Sequence, residues 1–387
     1  MEQITERLLS WASILEPATR EQAERTASMP FVHPHLALMP DAHLGLGATV
    51  GSVIPTDGAI IPAAVGVDIG CGMMAVRTQF TGDDLRGRNL ATLHEQVSRS
   101  IPLSAGGRNR RVRDTAAPRV EELRGMPGAD QADGVADSWP LQLGSLGSGN
   151  HFIEVSLDEA DRVWLFLHSG SRGVGNKLAS KHIRVAQERT RARGVEVPDR
   201  DLAYLEEGEP EFDTYIEALR WAQRFAALNR EEMMDRVADQ LSRFLTEEVR
   251  REQVVQCHHN YTEREIHSGR EVWLSRKGAI SARAGQWGLI PGSMGAASYV
   301  VVGKGDPASL MSAPHGAGRA FSRTAARKRF SRADLDRRMA GIAWGRSDAF
   351  LDEHPDAYKD IDVVMADAAD LVEIRHTLRQ VVNVKGD

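Results

Sequence analysis

An α+β fold is predicted for this chain. Short Val- and Ile-rich runs bounded by Gly and Pro alternate with amphipathic helical stretches, without the regular strand–helix–strand cadence of a doubly wound sheet. The chain has 387 residues, 42% apolar and 26% charged, a balance that supports a substantial buried core. We read residues 1–387 as one domain.

Residues 1–28 read as a helical lead-in, because Leu8, Leu9, Trp11, Ile14 and Leu15 recur at helical spacing and Pro17 suits the start of a second helix. From Met29 to Phe80 the pattern changes to buried strands ending in loops, as in LMPDAHLG, TVGSVIP and IIPAAVGVDIGCG. Residues 82–102 return to helix. The stretch 103–139, which opens SAGGRNRRVRDTAAP after Leu103, lacks periodicity and reads as a long loop or lid.

The runs HFIEV and RVWLFLH read as strands, each with a histidine at one end. Residues 173–247 form the longest helical tract, with Leu219, Ala222, Phe225, Ala226 and Met233 on one face. Strand character resumes from Val254 to Val302. A Gly-rich turn around His315 then leads into a basic helix, and 331–387 mixes helix with a terminal strand, VVNVKG.

Several classes are excluded early. The longest apolar stretches, such as Ile60 to Val67, fall far short of the ~20 residues a bilayer span needs. The start, MEQITERLL, lacks the basic and apolar regions of a secretory signal, so a cytoplasmic location with no membrane partner is expected. Net charge is −6, so nucleic-acid binding would need a local basic patch.

Five residues beside turn-forming sequence are candidate metal ligands: Asp68 and Cys71 in GVDIGCG, His151 in GSGNHFIE, His168 in FLHSGSRG and His259 in CHHNY. A thiolate can bridge two ions while imidazoles and a carboxylate complete each set of ligands, a combination suited to transition metals rather than calcium. Asp41 and His43 precede Gly45 and Gly47 and are read as lining the same pocket. His33 and His35 carry no such signal.

Neither a P-loop nor a dinucleotide fingerprint occurs. Gly-rich turns at 144–149, 170–175, 292–295 and 316–318 would instead aim backbone N–H groups at phosphates. His315 is expected just before a helix start that favours anions, with Arg319, Arg323 and Arg327 along one face as an RNA- or phosphate-binding stripe. The arginines at 108, 110, 111 and 113 read as a solvated loop with a secondary basic role.

Taken together, PDAHLG, GVDIGCGM, LGSLGSGNHFIE, LHSGSRGVGN, CHHNY, RKGAISARAGQ, IPGSMG, HGAGR and the terminal VKG resemble the RtcB family of RNA-splicing ligases, in order from about residue 29 to the end. The resemblance implies an α+β fold with Gly-rich loops around two Mn²⁺ ions, held by Asp68, Cys71 and His151 and by Cys71, His168 and His259. By general affinity order the same donors also suit zinc or another divalent metal.

The resemblance further implies GTP as co-substrate and His315 as the catalytic nucleophile that takes up GMP, with Asn150 beside it. Guanylate contacts are implied from Asn150, Glu154, Asn260, Ser293, Ser298, Gly316, Gly318, Tyr358 and Lys385. The implied substrates are RNAs with broken ends, tRNA halves or damaged RNA, with an archease-like activator as a further partner. Two departures occur: Leu46 stands where a lysine is expected, and His354 and Asp356 alter the stretch before AYKDID. A dinuclear metallophosphoesterase acting on RNA end phosphates is the competing reading, and a non-catalytic RNA-binding protein is another.

Overall fold

The computed structural model describes residues 1–387 as a mixed α+β protein built on two principal sheets. One is six-stranded, in the order Glu2–Thr5, Leu8–Ser10, Leu36–His43, Val50–Thr56, Arg270–Lys277 and Asn260–His267. The other places Arg251–His258, Gly72–Thr81, Arg162–Ser169, Phe152–Leu157, Val372–Lys385, Ser298–Gly303 and Trp287–Ile290 side by side, with Ala343–Trp344 added parallel to Val372–Lys385. Met39, Val53 and Leu274 of the first sheet join Met73, Phe166 and Val300 of the second in one buried apolar core.

Register within the larger sheet determines where the chemistry falls. Gly72 pairs with His258, Met73 with His168, His168 with Phe152, and Phe152 with Lys385. Five adjacent strands therefore reach the same edge together. The loops leaving that edge carry Cys71, His151 and His259, gathered although they are far apart in the chain.

One long helix backs this sheet and another packs against that helix. Arg172–Ala192 and Pro210–Leu245 account for most of the tract expected to be helical, separated by a short turn and the strand Leu205–Glu206. The second starts with Pro210 at its first turn followed by Glu211 and Asp213, and ends near Arg243, matching the helix dipole at both ends. Its Met233, Met234, Val237 and Leu241 pack with Val76, Leu165 and Leu167 of the sheet.

The same helix carries Arg230, fully buried, whose guanidinium donates to the carbonyls of Gly70 (2.9 Å) and Ser169 (3.0 Å). Those carbonyls belong to the loops bearing Asp68 and Cys71 and following His168, so one side chain ties two functional loops to the scaffold. Burial lowers its pKa to about 10, which leaves it charged at neutral pH. Arg230→Met would strand both carbonyls and is expected to cost about 2–4 kcal/mol, read as a fall in the denaturation midpoint with an unchanged m-value.

Two expectations are corrected. Residues 2–10 form the strands Glu2–Thr5 and Leu8–Ser10, and only Pro17–Ala27 is helical. Leu8 and Ser10 face inward and Leu8 pairs with Leu36, so sheet pairing outweighs an apolar spacing that also fits a helix. The stretch 103–139 holds the helices Ala117–Arg124 and Ala129–Val135, too short to show a period. It ends with Trp139 buried against Trp221 at 5.1 Å between ring centres, which is packing rather than a lid.

Candidate functional site

Asp68, Cys71, His151, His168 and His259 converge. Cys71 Sγ lies 3.4 Å from His151 Nε2 and 3.2 Å from His168 Nε2, and His168 Nε2 lies 2.9 Å from His259 Nε2. Asp68 Oδ2 is 3.1 Å from His151 Nε2. Two donor sets share the thiol: Asp68, Cys71 and His151, and Cys71, His168 and His259.

Neighbouring groups fix the direction of these rings. His168 Nδ1 faces the Asn150 carbonyl (3.1 Å), and His151 Nδ1 faces the Leu146 carbonyl (3.1 Å) and the Arg172 guanidinium (3.2 Å). Each ring therefore turns its Nε2 toward Cys71. Imidazole nitrogens, a carboxylate and a shared sulfur converging at these distances offer two sets of soft and borderline donors, so the arrangement fits a pair of divalent ions. Asp68 Oδ1 accepts from the Ser171 N–H at 2.9 Å. A side chain on Gly170 would place its Cβ 2.2 Å from that carboxylate, so glycine is required there.

Electrostatics agree with the geometry. Burial, reinforced by the Asp68 carboxylate, pushes the Cys71 thiol well up, as expected of a sulfur whose charge needs a metal. Burial opposes ionisation of Asp68, but His151 and Arg172 outweigh it and hold that carboxyl well below the usual range. Burial, with neighbouring rings, keeps His168 and His259 neutral.

His315 stands next to this cluster, its ring centre 4.6 Å from that of His259. Its Nδ1 is 2.6 Å from Oδ2 of Asp41, in a bent contact. The same oxygen accepts the backbone N–H groups of His315 (3.1 Å) and Gly316 (3.2 Å). Asp41 is fully buried, and it leaves Nε2 as the uncommitted nitrogen of the ring. This pairing is the part of the site that sequence reading placed only as a pocket lining. Gly278 makes room for the ring, since a Cβ there would sit 3.1 Å from His315 Cε1.

A cavity of about 310 Å³ opens over these residues, lined among others by Asn150, Glu154, Asn260, Ser293 and His315. Gly316, Gly318, Arg319, Arg323, Tyr358 and Lys385 also line it. Cys71 and His151 lie behind its wall. Ser298 is buried in a strand and does not line it, and Arg327 faces elsewhere. The Asn260 side chain accepts from Gly278 N–H (2.9 Å) and donates to the Asp68 carbonyl (3.3 Å).

At the far end of the cavity Glu154 is buried, with Oε1 accepting from Asn383 (2.9 Å) and Oε2 without any partner. Burial raises its pKa to about 8, against the opposing pull of Lys385. The folded protein therefore holds a proton that the unfolded chain releases near pH 4.5, so stability falls as pH rises from 4.5 through about 8. Glu154→Gln keeps the Asn383 contact and removes this penalty. Its melting temperature relative to wild type is expected to be higher at about pH 9 than at about pH 5.

The arginine stripe is corrected. The helix begins at Arg323, capped by Ser322, so neither His315 nor Arg319 lies at or on it. Arg319 contacts Glu353 (3.3 Å), Arg323 contacts Asp352 (3.2 Å) and Glu353 (3.4 Å), and Arg327 contacts Asp352 (2.9 Å). The positive run is thus largely neutralised by two buried acids that sequence reading missed. Glu353 also accepts from the Tyr358 hydroxyl (2.5 Å) and lies 3.5 Å from Lys385 Nζ, joining three pocket groups.

Both departures lie off the Cys71 cluster. Leu46 is half exposed, and its carbonyl accepts from Lys277, whose pKa burial lowers to about 7. His354 is buried and stacks on Phe330 at 4.2 Å. No helix is long and apolar enough to cross a membrane.

A family model described as tRNA-splicing ligase RtcB matches residues 22–386. The chain is 48% identical to the RNA-splicing ligase RtcB of Escherichia coli K12, over 96% of this chain and 95% of that protein. It is 32% identical to the tRNA-splicing ligase RtcB of Thermococcus kodakarensis (90% and 86% covered) and 30% identical to that of Pyrobaculum aerophilum (94% and 89% covered). The chain belongs to the RtcB family.

Proposed function

We propose that this protein is an RNA ligase of tRNA splicing or RNA repair, joining 3′-phosphate or 2′,3′-cyclic phosphate ends to 5′-hydroxyl ends at the expense of GTP. The observation that carries the reading is His315 held by buried Asp41 beside the shared Cys71 cluster, inside a cavity that also holds the unpartnered Oε2 of Glu154. Its relatives named as RNA- and tRNA-splicing ligases support the same activity.

In this reading His315 Nε2 attacks the α-phosphorus of GTP, and the bond to pyrophosphate breaks as the N–P bond forms. Asp41 stabilises the positive charge the ring acquires, as the carboxylate of a catalytic triad does. The RNA 3′-phosphate then attacks the same phosphorus, releasing His315 and leaving the RNA end joined to GMP through a pyrophosphate linkage. Attack of the 5′-hydroxyl on the RNA phosphorus expels GMP and seals the strand. Divalent ions, manganese in the family reading, held by Asp68, Cys71 and His151 and by Cys71, His168 and His259, would neutralise phosphate charge as Lewis acids.

Glu154 Oε2, once ionised, suits the N–H edge of guanine, Lys385 suits its carbonyl, and Tyr358 offers a ring at the cavity wall. The test is sealing of RNA strands bearing 3′-phosphate and 5′-hydroxyl ends with GTP and Mn²⁺. Joined product that requires GTP supports the reading. Phosphate release that proceeds equally without GTP, with no joined strand, would instead indicate the metallophosphoesterase.

A further inference from the structure

Arg319, Arg323 and Arg327 are paired with Asp352 and Glu353, whereas a second arginine run is left without acidic partners. Arg108, Arg110, Arg111 and Arg113 are all exposed, and none forms an ion pair. Arg108 donates only to Ser138 Oγ and Arg113 only to the Ser100 carbonyl, both at 3.3 Å. Arg110 and Arg111 make no side-chain hydrogen bond. These four line a groove of about 1090 Å³.

The acids in that groove do not cancel them. Asp235 is engaged by Arg119 (2.6 Å) and Arg251 (2.6 Å), and Asp239 by Arg243 (3.1 Å). Only Asp114 remains unengaged. In a chain of net charge −6, an unneutralised cluster of this size is a local exception.

The segment is also held in place. Asn109, between Arg108 and Arg110, is buried: its N–H donates to the Leu141 carbonyl (2.8 Å), its amide to Leu141 (3.0 Å) and Leu143 (2.8 Å), and its oxygen accepts from Arg236 (2.9 Å). Pinning this residue inward leaves its arginine neighbours presented to solvent, which corrects the expectation of a loose loop.

The groove is joined to the cavity. Ser104 N–H donates to the Gly147 carbonyl (2.9 Å) and Leu146 N–H to the Pro102 carbonyl (2.9 Å), and Gly147 opens the turn that ends in Asn150 and His151. At most about 14 Å of chain separates Ser104 from Arg108, and about 11 Å separates Gly147 from Asn150. A strand whose end sits at His315 can reach both.

We propose that the Arg108–Arg113 groove binds the phosphodiester backbone of the RNA strand beyond its reacting end, a docking surface that rests on the ligase reading above. Guanidinium groups free of acidic partners match phosphates and read no base, so the contact is indifferent to sequence.

The test uses the full chain and Arg110→Ala/Arg111→Ala, which removes no internal contact and whose melting temperature checks the fold. Binding of an RNA of about 20 nucleotides ending in a 3′-phosphate is measured without GTP across a salt series. The variant is expected to bind about tenfold more weakly at low salt and to show a log–log salt slope shallower by about 1.4. A fragment of about three nucleotides, too short to leave the cavity, should bind wild type and variant alike. An unchanged slope and affinity for the long strand would overturn the groove, as it would if the surface served an acidic protein instead. Labelling of wild type by GTP is followed separately: weakened RNA binding in the variant with no wild-type labelling refutes the ligase reading and leaves the groove standing.

Discussion

His315→Ala is expected to take up no label from α-labelled GTP and to seal no RNA above background, while melting within a few degrees of wild type. Alanine removes the ring that Asp41 holds beside the cluster, and that ring is only partly buried, so folding loses little. Asp41→Asn sharpens the test. Asparagine can still accept the N–H groups of His315 and Gly316, which Asp41 now receives at 3.1 and 3.2 Å, so the turn keeps its shape. What it loses is the anion opposite Nδ1. A fall of about 10²–10⁴ in the rate of labelling is expected, with GTP affinity changed far less. Equal losses in binding and rate would show that Asp41 merely shapes the loop.

Cys71→Ala is expected to be the most damaging single change to the metal centre. Its sulfur belongs to both donor sets, whereas His151 and His259 each belong to one. Wild type should gain thermal stability on adding Mn²⁺ and lose it with a chelator, since an ion bound at about 100 times its Kd stabilises by about 2.7 kcal/mol. In Cys71→Ala that shift should vanish and sealing should fall by more than about 100-fold. His151→Ala should retain a smaller shift from the remaining set. Metal content by elemental analysis checks both, and two ions retained by Cys71→Ala would contradict the shared-sulfur arrangement.

The residues that converge on Cys71 were legible in the sequence because Asp68, Cys71, His151 and His168 stand in Gly-rich motifs and His259 at a strand end, and strand ends deliver such residues to one edge. The α+β class was legible for the same reason, in strand runs that end at turns. Asp41 was not readable as the partner of His315, because the two are 274 positions apart and nothing local marks the pairing. Glu353 and Asp352 were missed similarly: an arginine run looks free until acids from another segment fold onto it. Conversely, Arg108–Arg113 read as a solvated loop because the anchoring of Asn109 by Leu141 and Leu143 is a tertiary contact. At the start of the chain, Leu8 and Leu9 suited either period, and pairing with Leu36 decided for strand.

The central claim is that His315 carries guanylate covalently, and mass spectrometry of the intact protein after incubation with GTP and Mn²⁺ tests it most directly. The account predicts a mass increase of one GMP, lost in acid and mapping to the peptide that contains His315. An unchanged mass in preparations that still join RNA, or guanylate found on any other residue, would contradict it.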